Sequence, residues 1–182
     1  MIFRFALLSF VMCCASICSA ASMSEVQKAT IMAHLERCVQ ASVAQSSAPF
    51  SDWTRETTRV PNVYLSYEKF ASRDSSFVAV LGQRKDHPGK PFICRIIRDG
   101  VEGSFLDVSQ DDRGIVRFVQ SLPKGKFGNV RFRKRSALQV KANREALSGC
   151  INGQIMMLNA DITNKGAASF GVNIPLLENR SC

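Results

Sequence analysis

The chain has 182 residues, 46% of them hydrophobic and 21% charged, a balance that excludes a wholly disordered polypeptide. Its formal net charge is +9. No apolar run reaches the ~20 residues that a membrane-spanning helix needs, and the length suits a single domain.

Arg4 precedes a 13-residue, mainly apolar run from Phe5 to Ile17, and the small residues Cys18-Ser19-Ala20 follow. That order is the pattern of a secretory signal peptide with an A-x-A-like cleavage site. The expected organisation is a cleaved signal over 1–20 and one α+β domain over 21–182, periplasmic or secreted. Without Arg4, 23 cations face 15 anions, a net charge of +8. Seven cysteines likewise become four: Cys38, Cys94, Cys150 and Cys182. An even number in an exported chain predicts two disulfides. Of the three connectivities, the preferred one joins Cys38 to Cys94, tying the first helix to the sheet, and Cys150 to Cys182, pinning the tail. A reactive thiol at Cys182 is the alternative.

Ser22 and Glu25 have capping-box spacing, and Met32, Leu35, Val39 and Val43 recur at helical period, so a long amphipathic helix is predicted to about Gln45. A polar connector from Ser46 to Pro61 holds the single tryptophan, Trp53. Strands are predicted over Val63–Phe70, Phe77–Gln83, Phe92–Arg98 and Gly103–Val108, with a hairpin at Asp99-Gly100. Ser109 and the acids Asp111 and Asp112 open a second helix that Pro123 ends. Further strands are expected over Phe127–Lys134 and Ala137–Lys141, then a short helix from Asn143 to Ile151. A hairpin of Gln154–Ile162 and Ala168–Pro175 turns at Thr163-Asn164-Lys165-Gly166. The fold class is α+β: a long N-terminal helix packed on a mainly antiparallel, disulfide-stapled sheet, with one or two further short helices.

From Lys124 to Arg144 there are eight cations and no acid. Lys124, Lys126, Arg131, Arg133, Lys134, Arg135 and Lys141 are candidate polyanion-binding residues, with alternation placing Arg131, Arg133 and Arg135 on one strand face. The partners that fit are an anionic glycan, a lipid headgroup or an envelope protein; nucleic acid is disfavoured because stacking aromatics are sparse there. The plainer reading is a solvated edge, or one neutralised by Asp99, Glu102, Asp107, Asp111 and Asp112 on a neighbouring strand. Trp53 is a candidate partner contact, or else a plug closing one end of the sheet. Tyr64 and Tyr67, three apart in a strand, are expected on opposite faces.

Catalytic signatures are sparse. His34 and His87 are the only histidines, too few and too far apart for a paired-His metal motif. The Gly82–Lys90 segment lacks phosphate-loop spacing. No metal or cofactor is expected. The leading expectation is an exported, non-enzymatic binding domain. The alternatives are an interaction or assembly subunit of the cell envelope and, third, a small secreted hydrolase using residues such as Asp107, Asp111 or His87.

Overall fold

The computed structural model describes residues 23–85, 92–101, 108–122, 126–127, 130–134, 147–151 and 154–174. Helix α1 runs from Glu25 to Ala44. Its capping box lies two residues beyond the expected one: Ser24 Oγ accepts from the Gln27 N–H, and Gln27 Oε1 accepts from the Ser24 N–H. The buried face is Ile31, Leu35, Cys38, Ala41 and Ser42, while Met32, Val39 and Val43 flank it, partly buried. Three of those five buried residues are small, so the helix backbone can approach the sheet closely. Gln45, in the left-handed region at φ 49°, ends the helix.

A 3₁₀ turn over Ala48–Phe50 leads to strand β1 (Thr54–Glu56), both inside the expected connector. Strands β2 (Tyr64–Ala71), β3 (Phe77–Arg84) and β4 (Phe92–Arg98) follow as an antiparallel meander. In the β2–β3 turn Asp74 accepts from the Ser72 and Ser76 hydroxyls, at 2.6 and 2.7 Å. Helix α2 (Gln110–Ser121) starts at Ser109, whose Oγ accepts from the Asp112 N–H. A second meander comprises β5 (Lys126–Phe127), β6 (Val130–Lys134), β7 (Leu147–Ile151), β8 (Gln154–Ile162) and β9 (Ala168–Ile174).

The two meanders meet where β4 pairs with β9. The strand order is β1-β2-β3-β4-β9-β8-β7-β6-β5. Six strands, from β1 to β8 in that order, form the central antiparallel sheet, and β7, β6 and β5 extend it. Helix α1 packs across β4 and β9, the seam between meanders, and α2 packs on β8 and β9. At the seam Cys38 and Cys94 form a disulfide with a Cα–Cα distance of 5.2 Å, both side chains fully buried. Cys150 lies on β7, and Cys182 lies outside the described residues.

Several sequence expectations are corrected. The segment 147–151 is strand β7 and not the end of a helix. The stretch 127–134 is not one strand: β5 and β6 pair antiparallel, with Phe127 opposite Val130. No hairpin forms at Asp99-Gly100, because β4 already has β3 on one edge and β9 on the other. The expected strands at 103–108 and 137–141 fall outside the described residues, apart from Val108, which is not in a strand.

One face of the sheet carries the core under the helices, including Phe70, Leu81, Ile96, Phe170 and Leu158. Close strand packing depends on Gly171, where a Cβ would come within 2.1 Å of the Cys94 carbonyl oxygen. The opposite face is the mixed, polar one.

Candidate anion-binding face

Direct cross-strand pairs share a face, so the register traces residues across the sheet opposite the helices. One row runs Tyr67, Gly82, Ile93, Asn173, Met157, Ser148, Arg133. Arg131 stands two residues from Arg133 and opposite Lys126, which places Lys126, Arg131 and Arg133 at the β5–β6 end of this face. Lys134 pairs with Leu147 and belongs to the other face. Lys124, Arg135 and Lys141 lie outside the described residues.

Of the acids expected to neutralise the basic segment, Asp111 and Asp112 are paired elsewhere. β9, β8 and β7 stand between β4 and β6. Asp111 and Asp112, at the start of α2, both engage Arg98 of β4. Other acids are held by cations outside the segment: Glu25 by Lys28, Asp52 by Arg37, Glu68 by Arg55 and Glu56 by Lys69. Near the middle of the face Arg95 donates to Asp161 and to the Ser169 hydroxyl, so the central charge is cancelled. Asn173 keeps its buried Oδ1 without a donor among the described residues. Glu102 and Asp107 lie outside the described residues.

At the opposite end Tyr64 and Tyr67 share the face, contrary to the alternation expected from sequence. A β-bulge between Tyr64 and Ser66 inserts one residue and shifts the parity. The two rings then meet edge to face with centroids 5.1 Å apart. The Arg84 guanidinium lies 5.8 Å from the Tyr64 centroid, within cation–π range. Gly82 makes room for this arrangement, since a Cβ there would approach Tyr64 Cδ1 to 2.9 Å. Burial is the main cause holding the Tyr67 hydroxyl above its ordinary pKa, reinforced by Tyr64.

Trp53 is not an exposed contact. It is 8% accessible and packs edge to face on His34 and Phe50, with centroids 5.1 and 5.2 Å away. His34 also meets Phe77 edge to face and leaves Nδ1 without a partner among the described residues. Burial, aided by Arg37 and opposed by Asp74, lowers its pKa to about 4. This arrangement is an aromatic plug.

Of the residues considered for hydrolysis, His87 and Asp107 lie outside the described residues, and Asp111 is exposed beside Arg98. Among the described residues no three His, Cys, Asp or Glu side chains are arranged to hold a metal, and no helix is long and apolar enough to cross a membrane. Comparison with known proteins finds no matching family model, no similar curated protein and no similar solved structure.

Proposed function

We propose that the protein is an exported, non-enzymatic binding domain that recognises a polyanion through the basic segment on β5 and β6. The observation that carries the reading is charge segregation. Asp111 and Asp112 engage Arg98 near the middle of the strand order, whereas the basic strands stand at its far end. Guanidinium groups suit sulfate, phosphate and carboxylate arrays because their donors match oxyanions bidentately.

Association with immobilised heparin and with anionic liposomes should be strong at low salt and weaken as ionic strength rises. Replacing Arg131, Arg133 and Arg135 by Gln should weaken it roughly a hundredfold, at about 1 kcal/mol per cation. Absence of binding at low salt, or an unchanged triple variant, refutes the proposal.

A second reading, an assembly subunit contacting a protein by strand addition, is favoured by one separate observation. β1 covers β2 only at Lys69–Ala71, and Val60, Val63 and Leu65 are exposed nearby. Strand addition uses such an edge. Crosslinking in the native compartment then yields one stoichiometric partner, lost with Leu65→Lys.

A further inference from the structure

We infer that the anionic ligand is a flexible anionic polysaccharide that crosses the strands on the face opposite the helices. Its sugar rings rest against Tyr64 and Tyr67, and its acidic groups are held at Lys126, Arg131 and Arg133. This deepens the polyanion reading and rests on it.

The register joins the two ends in one row, from Tyr67 on β2 to Arg133 on β6. Six inter-strand steps of ~4.8 Å make that row about 29 Å long. Each step also turns by about 20–25°, so the ends differ in direction by roughly 120–150°. A flat bilayer can lie against one end but not both, whereas a flexible chain can follow the twist. Charge complementarity fixes the sign of the ligand at the β6 end, where β5 and β6 carry Lys126, Arg131, Arg133 and Lys134 and no acid.

The other end fits sugar rings. The bulge brings Tyr64 and Tyr67 together, half-buried, and Gly82 lets the Tyr64 ring lie against the sheet. Aromatic rings of this kind offer apolar surface beside a polar hydroxyl, matching the C–H faces and hydroxyls of a pyranose. Arg84 stands beside Tyr64.

The test is calorimetric titration of the disulfide-intact protein with heparin-derived fragments, a tetrasaccharide shorter than the row and a dodecasaccharide longer than it. Engaging both ends should make the longer fragment bind roughly a hundredfold more tightly. Tyr64→Ala with Tyr67→Ala should abolish that gain while leaving tetrasaccharide binding unchanged. Tyr64→Phe with Tyr67→Phe should keep the gain, which separates ring contact from loss of fold. No length gain, an unaffected Ala pair or a disabled Phe pair each overturns the cross-sheet track and leaves the polyanion reading standing. Unchanged binding of both fragments by Arg131→Gln with Arg133→Gln overturns the polyanion reading itself. Phosphatidylglycerol vesicles bound in preference to either fragment, or a single-stranded oligodeoxynucleotide of equal charge bound more tightly than the dodecasaccharide, replaces the glycan with another ligand and sinks the inference.

Discussion

Asp112 accepts the backbone N–H of Ala168 at 2.7 Å, joining the first turn of α2 to the first residue of β9. Its second oxygen receives Arg98 at 3.0 Å and the Ser109 hydroxyl. One fully buried carboxylate therefore holds the capping Ser109 hydroxyl, starts a strand and pairs the end of β4. Asp112→Ala leaves the buried Ala168 N–H without an acceptor and Arg98 with only Asp111, 3.9 Å away. The expected loss is about 3 kcal/mol of folding stability, measured by urea denaturation. Asp112→Asn retains one acceptor and should lose less. A loss below about 1 kcal/mol for the alanine variant contradicts this bridging role.

The Cys38–Cys94 crosslink closes a loop of sequence separation 56. Chain-entropy arithmetic for such a loop gives about 4 kcal/mol. Replacing both cysteines by alanine should lower the urea midpoint by a corresponding amount, with little change in the far-ultraviolet spectrum under native conditions.

His34 supplies an acid-sensitive contribution. Its folded pKa of about 4 lies below the ordinary 6.5, with burial as the first cause and Arg37 as the second. The unfolded chain therefore binds the proton more readily across that interval. Stability present above pH 6.5 falls as pH drops towards about 4, and the contribution is flat below that. With solvent screening, the loss is of order 2 kcal/mol. His34→Phe should flatten the stability profile between those limits. A profile identical to that of the parent protein rejects the assignment.

Gly171→Ala tests the close approach of β9 to β4. The added Cβ would sit 2.1 Å from the Cys94 carbonyl oxygen and 2.8 Å from the Arg95 Cα. Backbone, rather than a flexible side chain, must give way. A destabilisation of about 3 kcal/mol or more is expected, with a lower thermal midpoint as the readout.

Much of this architecture is legible in residue order. The strands beginning at Phe77 and Phe92 start where apolar runs follow turn residues, and Gly166, at φ 81°, marks the β8–β9 turn. Helix α2 follows from Ser109 and its adjacent acids. Two further hairpin signals are present in the residue order. Ile151 pairs with Gln154 across Asn152-Gly153, and Phe127 with Val130 across Gly128-Asn129. Both dipeptides belong to the two-residue hairpin class. Asp99-Gly100 carries a similar local signal, yet both edges of β4 were claimed from elsewhere in the chain.

The candidate face was less accessible to sequence reasoning because it depends on parity and strand order. One bulge near Leu65 puts Tyr64 and Tyr67 on the same side, which simple alternation forbids. Separation of Asp111 and Asp112 from β6 follows from the distant β4–β9 pairing, which no local pattern announces. The hydrophobic pattern also favoured the bulky residues of α1 over Cys38, Ala41 and Ser42, whose small size brings that helix onto the seam.

The seam imposes an order of events on a chain made from its N-terminus. Both crosslinked cysteines precede β9, by 74 residues or more, so the staple can form before that strand exists. Until Ala168–Ile174 arrives, β4 has β3 on one edge and a bare row of backbone donors and acceptors on the other. Such an edge recruits foreign strands. The second meander is thus a late-delivered cover for the first, and a truncation before β9 should leave a crosslinked half-sheet prone to self-association.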